Sequence, residues 1–173
     1  MMERFVDISP LLDGVKSQID FAFEFDIPAE EAWDSTEFTR PVAVEGKVCD
    51  FGGYIKLEYK GACEYSAKCA RCLLPVNGSI EFKGERDVAV PGTLQNEDND
   101  DYIFTDEGRL EICTPVIEQL MLDFPSKILC RPDCKGLCSR CGADLNEGEC
   151  KCPKKEIDPR LAILAKIRDE LDD

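Results

Sequence analysis

The sequence predicts an α+β fold that is predominantly β: an antiparallel curled sheet or barrel-like domain, followed by a helix, a cysteine-rich module and a C-terminal helix. Three observations predict it. Apolar and polar residues alternate over long segments of the first half, as they do in half-buried strands. Glycine-rich turns separate these segments. Two later segments carry apolar residues at helical spacing, on either side of a cluster of cysteines.

Four strands are predicted from the alternation. The first is SQIDFAFEFDIP at 17–28, whose apolar side chains share one face without interruption. The second begins at 41 and ends at DFGG, where glycine permits the positive φ of a tight turn. The return strand over 54–69 is long enough that we expect it to bend at Gly61. A fourth strand is predicted at 78–90.

The connecting segments differ in character. Residues 28–38 fit either a short helical turn or a loop. The acidic loop at 95–101 is expected to be solvated rather than a cation site or an interaction tail. A helix is predicted over about 114–124, with Thr114 as its N-cap, Pro115 at its first position and an apolar face against the sheet.

The chain divides into three predicted parts. A β-rich domain occupies 1–125, and a cysteine-rich zinc-binding module occupies 126–156. A C-terminal helix follows at 157–173, with a stripe of leucine and isoleucine that either packs on the core or binds a partner.

Composition limits the class of protein. With 173 residues and 43% hydrophobic composition, the chain can bury a core without disulfides. Its N-terminus lacks the layout of a secretory signal peptide, and no segment has the apolar length of a membrane span. We therefore predict a cytoplasmic protein without membrane contact, where closely spaced cysteines bind metal or act in redox chemistry.

The charge is large and uneven. A net charge of −15 argues against a protein that merely coats nucleic acid, because phosphate binding depends on Lys and Arg. Residues 127–168 nevertheless carry ten Lys or Arg against six acids, a net of +4, whereas the rest of the chain has a net of −19. Bound thiolates would reduce that +4, since four thiolates around a dication carry about two negative charges.

Six of the eleven cysteines lie in CRPDCKGLCSRCGADLNEGECKC at 130–152, in a chain without histidine. The pair in CSRCG, Cys138 and Cys141, has the spacing of a zinc knuckle, a tight turn whose amides point at the sulfurs. The segment has few apolar residues, so metal binding would supply the folding energy that a core cannot. We predict one structural Zn²⁺ held by four of the six, with Cys138 and Cys141 the firmest; the six are Cys130, Cys134, Cys138, Cys141, Cys150 and Cys152. Removing the metal should then disorder 130–152 and leave the β domain folded.

An iron–sulfur cluster of the radical-enzyme type is not expected; non-radical iron–sulfur binding is less easily excluded, and colour in the purified protein would decide it. The string CKGLCSRC matches the CxxxCxxC pattern of radical enzymes, but those enzymes need a large barrel, for which 173 residues with antiparallel strands leave no room.

A second pair, Cys69 and Cys72 in CARCLLP, has three interpretations. It is a redox motif, a contribution to metal binding, or a structural turn at a strand end. The redox interpretation needs a helix N-terminus after the motif to lower the thiol pKa, and Pro75 and Gly78 oppose such a helix.

Catalytic motifs are missing from the sequence. Without histidine there is no Ser-His or Cys-His pair, and no GxxxxGK[ST] phosphate loop is present. We therefore predict a protein that is not an enzyme and has no small-molecule substrate.

The order of motifs resembles the YceD family of bacterial large ribosomal RNA subunit accumulation proteins. CxRCL after a long strand, the helix VIEQLMLDFP, LCRPDCKGLCSRCGADLNEGECKC and IDPRLAILAKI carry the resemblance, which covers essentially the whole chain. It implies a non-enzymatic factor that supports the synthesis, processing or accumulation of large-subunit (23S) ribosomal RNA and ribosome biogenesis. It does not indicate which four cysteines bind metal.

Two hypotheses follow. In the first, the zinc module contacts ribosomal RNA or a ribosomal protein of the large subunit, and the acidic β domain favours a basic protein. The candidate partner-binding residues are Arg131, Lys135, Arg140, Lys151, Lys154 and Lys155. In the second, the chain is a thiol-based redox or metal-sensing protein that uses Cys69 and Cys72. The sequence leaves the oligomeric state open.

Overall fold

The computed structural model describes residues 5–27, 36–91 and 102–152. The predicted acidic loop and the predicted C-terminal helix at 157–173 lie outside these ranges. The described part has eight strands and two helices: β1 (Phe5–Asp7), α1 (Ser9–Leu12), β2 (Gln18–Phe25), β3 (Thr36–Phe38), β4 (Val42–Asp50), β5 (Ile55–Lys68), β6 (Pro75–Ala89), β7 (Tyr102–Phe104), β8 (Arg109–Glu111) and α2 (Cys113–Asp123). The predominantly β composition predicted from alternation is confirmed.

The main sheet has six strands among the described residues. Its order is β2-β4-β5-β6-β7, and β3 pairs with β5 beyond the end of β4. All pairs are antiparallel except β6 with β7, which is parallel. In the described ranges no pairing joins β2 to β7, so the sheet is not a closed barrel and the barrel-like alternative is wrong. The eight residues of β2 could not pair along their length with the three of β7.

The hairpin of β5 and β6 is the feature that positions the site. The two strands pair along their full lengths, from Ile55 opposite Val88 to Lys68 opposite Pro75. β6 therefore begins three residues earlier than the predicted strand at 78–90. Consequently, the connection CARCLL forms the tip of a long hairpin that extends past β4, whose pairing with β5 ends at Ala62.

The core lies on one face of this sheet and follows the predicted alternation. The inward residues of β2, β4 and β5 pack against α2, α1 and β8. Tyr59 of β5 is buried, and its hydroxyl donates a 2.7 Å hydrogen bond to the carbonyl of Pro115 in α2. The opposite face of the sheet is charged, with cross-strand ion pairs such as Lys47 with Glu58 at 3.1 Å and Lys60 with Glu45 at 2.7 Å.

Helix α2 is confirmed close to its predicted range, but its cap differs from the prediction. The helix begins at Cys113 with Ile112 in the N-cap position, so Thr114 is not the cap and Pro115 is the third helical residue instead of the first. The carboxylate of Glu111, at the end of β8, accepts the amides of Cys113 and Thr114 at 2.9 Å each. The preceding strand thus provides the cap, a contact that the spacing within the helix could not reveal.

No helix among the described residues is long and apolar enough to cross a membrane.

Candidate metal centres

After α2 the chain passes along the tip of the β5–β6 hairpin. The amide of Ala70, in the tip, donates to the carbonyl of Ile128 at 2.8 Å. The Arg71 guanidinium reaches the carbonyl of Cys134 at 2.5 Å, and the amide of Leu137 donates to the carbonyl of Arg71 at 3.0 Å. These contacts hold the start of the cysteine-rich segment against the hairpin.

They bring together four cysteines from two distant parts of the sequence. We call them the tip group: Cys69, Cys72, Cys130 and Cys134. Their sulfurs all lie within 4.8 Å of one another. The Sγ atoms of Cys69 and Cys134 are 3.8 Å apart, and those of Cys72 and Cys130 are 3.5 Å apart.

The remaining cysteines of the cysteine-rich segment form a second set. We call it the module group: Cys138, Cys141, Cys150 and Cys152. Its sulfurs also lie within 4.8 Å of one another, with 3.4 Å between the Sγ atoms of Cys138 and Cys150. The turn is closed by the amide of Cys138, which donates to the carbonyl of Ala143 at 2.8 Å.

The spacing of the sulfurs fits one metal ion in each group. A zinc–thiolate bond is about 2.3 Å long, so the sulfurs of a regular tetrahedron around the ion would be about 3.8 Å apart. Three of the separations, at 3.4 to 3.8 Å, are close to this edge length, and all sulfurs within a group lie within 4.8 Å of one another. A disulfide would place two sulfurs about 2.05 Å apart, and all eight of these cysteines are free. Both groups could therefore bind a metal.

The two groups differ in burial. In the tip group Cys69 and Cys134 are fully buried, and Val76, Leu129 and Leu137 pack around them. In the module group Cys141 is exposed and the other three are half-buried. Cys69, Cys72 and Cys134 thus lie in a small apolar cluster separate from the core of the sheet, whereas Cys130 is exposed.

In each group, backbone amides hold the pKa of one sulfur below its ordinary value. Burial raises the pKa of Cys69, but hydrogen bonds from the amides of Cys72, Arg71 and Cys130 outweigh it and lower the pKa to about 6. Amides of Cys141 and Arg140 likewise lower the pKa of Cys138 to about 6. Each group therefore favours one thiolate, which is the form that binds metal.

In each group a further sulfur resists ionisation while a thiolate is close. Hydrogen bonding to Cys72 and burial raise the pKa of Cys130 to about 12. Hydrogen bonding to Cys141 and burial raise the pKa of Cys152 to about 12 in the same way. Four thiolates can share such a small volume only around a cation, so the chemistry of both groups suits a divalent metal.

The six cysteines of 130–152 are thus divided between two groups, because Cys130 and Cys134 lie with Cys69 and Cys72 and not with the knuckle. Of the three interpretations of Cys69 and Cys72, this grouping favours a contribution to metal binding, but the sequence did not indicate which cysteines would join the pair. The number of cysteines could have indicated the grouping. One metal needs four thiolates, so the cysteine-rich segment has two more than it requires, and these two and the CxxC pair elsewhere complete a second set of four. The other cysteines of the chain, Cys49, Cys63 and Cys113, are buried away from both groups.

The predicted partner-binding residues are on the surface where the structure describes them. Lys135, Arg140 and Lys151 are exposed. Arg131 is also exposed and lies 3.6 Å from the carboxylate of Asp133, so part of its charge is matched locally. Lys154 and Lys155 fall outside the described residues.

Comparison with known proteins gives a family match. The family described as "Large ribosomal RNA subunit accumulation protein YceD" matches residues 57–168, well over half of the chain. That range includes both cysteine groups. No solved structure gives a significant match.

Individual relatives match over different lengths. The uncharacterized protein Rv2926c of Mycobacterium tuberculosis is 33% identical over 102 residues, 58% of this chain and 49% of the relative. YlbN of Bacillus subtilis is 27% identical over 156 residues, 84% of this chain and 88% of the relative. A chloroplast protein of Arabidopsis thaliana named "Large ribosomal RNA subunit accumulation protein YCED homolog 1" is 29% identical over 62 residues, 36% of this chain and 19% of the relative. The chain spans about half the length of the mycobacterial relatives that it matches.

Proposed function

Because this chain belongs to the YceD family, we propose that it is a non-enzymatic factor that supports the accumulation of large-subunit ribosomal RNA in the bacterial cytoplasm. The family match over 57–168 carries the proposal. The Arabidopsis relative, whose name states the same role, agrees with it. The chain acts by binding, since it has no histidine and neither of its cysteine groups resembles a nucleophile paired with a base.

The bound metal is Zn²⁺, and its role is structural. Four thiolates at tetrahedral spacing, with no other ligand type, are the donor set of structural zinc sites. In the module group, Cys138 and Cys141 belong to a knuckle whose amides bond the first sulfur. Zinc holds this loop-rich segment in one shape, and its exposed basic residues are thereby presented together.

A basic protein of the large subunit is the partner that the charges favour. The net charge is −15, and lysines on the outer face of the sheet are paired with acids on neighbouring strands. A zinc ion with four thiolate ligands carries about two negative charges in total, so each such centre lowers the net positive charge of the basic segment. RNA phosphate would therefore be attracted only locally, by side chains such as Lys135, Arg140 and Lys151.

The redox or metal-sensing alternative has less support. Thiol exchange requires that a sulfur be reachable by a substrate disulfide, whereas Cys69 and Cys72 are buried and each contacts a further cysteine. The pair is followed by an extended strand, not by the helix that a thioredoxin-like motif needs.

The test is a deletion of the gene in the source bacterium with measurement of the ratio of large- to small-subunit ribosomal RNA. We expect the ratio to fall and to be restored by the wild-type chain. An unchanged ratio over a range of growth rates would reject the proposal. Recovery of the tagged protein, followed by identification of co-purifying RNA and protein, would name the partner.

Matched variants separate direct contact from folding. Lys135→Ala with Arg140→Ala removes two exposed charges from the cysteine-rich segment, and Lys16→Ala with Lys83→Ala removes two exposed charges elsewhere. We expect only the first pair to weaken co-purification while zinc content stays unchanged. If both pairs behave alike, the basic side chains of the module are not the contact.

A further inference from the structure

The two CxxC turns of the chain have the same backbone structure. In each turn the residue after the second cysteine donates its amide to the carbonyl of the first, at 3.0 Å for Leu73 and 2.9 Å for Gly142. In each turn the first cysteine donates its own amide to the residue two positions after the second cysteine, at 2.8 Å for both Leu74 and Ala143. The tip of the β5–β6 hairpin is therefore built as a metal knuckle, like the turn in CSRCG.

Leu73 adopts a conformation that a simple hairpin connection would not require. Its φ is +63°, in the left-handed region, where the matching residue of the other turn is Gly142 with φ +72°. A leucine there costs about 1–2 kcal/mol, and such strain persists only where the surroundings impose it. If both thiolates of this turn bind one ion, the turn must keep the shape that directs both sulfurs inward, and Leu73 is then held in the left-handed conformation.

The other two sulfurs are brought to the knuckle by specific contacts. The amide of Cys130 donates to the sulfur of Cys69 at 3.3 Å. The side-chain amide of Asn146 points at the sulfur of Cys134 at 3.5 Å, from a side chain that also accepts the amide of Lys135. These donors favour negative charge on the sulfurs, so they suit thiolates and not a cluster of neutral thiols.

A buried thiolate needs a compensating cation. Cys69 is fully buried, and the Arg71 guanidinium donates to the backbone carbonyl of Cys134. An isolated buried charge is costly, whereas a dication at the centre of four sulfurs removes the cost and supplies the missing ligand contacts.

From these observations we propose that the tip group, Cys69, Cys72, Cys130 and Cys134, holds a second Zn²⁺ in addition to the one in the module group. This ion fastens the tip of the β5–β6 hairpin to the segment that follows α2. The β domain and the cysteine-rich segment are then cross-linked by a metal, and removal of zinc loosens the hairpin tip as well as 130–152. The proposal does not depend on the RNA role, because its readout is metal content.

Native mass spectrometry of the full-length chain tests it. We expect two zinc ions per chain in the wild type, one in Cys69→Ser/Cys72→Ser and one in Cys138→Ser/Cys141→Ser. The control Cys49→Ala/Cys63→Ala, which removes two buried thiols outside both groups, should retain two. One zinc in the wild type that persists in Cys69→Ser/Cys72→Ser overturns the proposal. Iron in place of zinc at the tip group, or a Cys69–Cys72 disulfide in protein purified without oxygen, also overturns it.

Cobalt titration avoids the risk that a variant fails to fold. The wild-type apoprotein, refolded with Co²⁺ alone, should take up two equivalents, and both should give the thiolate-to-cobalt and tetrahedral d–d absorption of a four-sulfur site. Saturation at one equivalent would contradict a second site.

Hydrogen exchange locates the second ion. The amide of Ala70, which is bonded to Ile128, reports on the hairpin tip, and the amide of Gly142, bonded to Cys138, reports on the module. In Cys69→Ser/Cys72→Ser we expect Ala70 to exchange at least tenfold faster than in the wild type. Unchanged protection of Ala70 in that variant would overturn the proposed fastening.

Discussion

The Sγ atoms of Cys69 and Cys134 lie 3.8 Å apart, although 65 positions separate the two residues along the chain. The contact joins the tip of the β5–β6 hairpin to the first turn of the cysteine-rich segment, and the intervening chain contains β6, β7, β8 and α2. A metal at this point closes a long loop, which restricts the unfolded chain more than a short-range bridge does. The tip group is thus placed to stabilise the whole fold.

Substitution of Gly136, which lies against Arg71 of the hairpin tip, should destabilise the fold. Its φ is +76°, and a Cβ there would lie 2.8 Å from the carbonyl oxygen of Arg71 and 3.2 Å from its carbonyl carbon. Gly136→Ala therefore introduces two unfavourable effects: strain in the left-handed backbone and a steric clash with the Arg71 carbonyl. We expect the free energy of unfolding to fall by about 2–4 kcal/mol in urea titrations at fixed zinc concentration.

The matched control is Gly142→Ala. Gly142 has a similar φ of +72°, but a Cβ there would meet nothing within 4 Å. In Gly142→Ala only the backbone strain should lower the free energy of unfolding, by about 1 kcal/mol. Equal losses in the two variants would mean that the contact of Gly136 with Arg71 contributes nothing.

Leu73→Gly should stabilise the hairpin tip. Leu73 is 59% exposed, so little burial is lost, whereas glycine adopts its φ of +63° without steric cost. We expect a gain of about 0.5–1 kcal/mol in urea titration, after the greater chain entropy of glycine is offset. Leu73→Ala, which shortens the side chain and retains the Cβ, should show no gain. A loss of stability in Leu73→Gly would show that the leucine side chain makes a stabilising contact.

Tyr59→Phe should destabilise the packing of α2 on the sheet. The Tyr59 hydroxyl is buried and donates to the Pro115 carbonyl at 2.7 Å, so its removal leaves that carbonyl without this donor. The expected loss in free energy of unfolding is about 1–2 kcal/mol. Tyr54→Phe removes a hydroxyl that hydrogen-bonds Asp87 from a 48% exposed side chain, and it should cost less than about 0.5 kcal/mol. Similar losses in the two variants would contradict the assignment.

The same tyrosine predicts how stability depends on alkaline pH. Burial, reinforced by the charges of Glu118 and Asp123 and opposed by Arg86, raises the pKa of Tyr59 from 10.0 to about 12. Above pH 10 the unfolded chain loses this proton first, so the folded state binds more protons and the free energy of unfolding falls as pH rises towards 12. The loss attributable to Tyr59 approaches about 2–3 kcal/mol at pH 12.

Comparison of the wild type with Tyr59→Phe isolates that contribution. The variant has no phenol at this position, so its stability should decline less steeply between pH 10 and pH 12 in thermal or urea unfolding. Burial raises the pKa of Cys63 to about 11 as well, but Cys63 is present in both proteins and its effect cancels in the difference. Parallel pH profiles would refute the prediction.

Local patterns were predictable where one face of an element decides its structure. The alternation over 17–28 gave β2, since only one register buries its aromatic face. The apolar spacing after Pro115 gave α2 for the same reason. The cap of α2 was not predictable, because Glu111 belongs to a neighbouring strand. Nor was the early start of β6, because its first three residues are drawn into the sheet by their pairing with β5.

The sequence by itself determined that thiolates and not histidines are the ligands available to a metal, that Cys138 and Cys141 share one CxxC turn, and that strands dominate the first half of the chain. Only the tertiary structure decided how the cysteines are grouped. Spacing along the chain specifies a knuckle, since two sulfurs must share one turn, but it cannot specify which distant turn completes the set. That choice follows from the length of the β5–β6 hairpin and the exit of the chain from α2, which together place Cys69 and Cys72 beside Cys130 and Cys134.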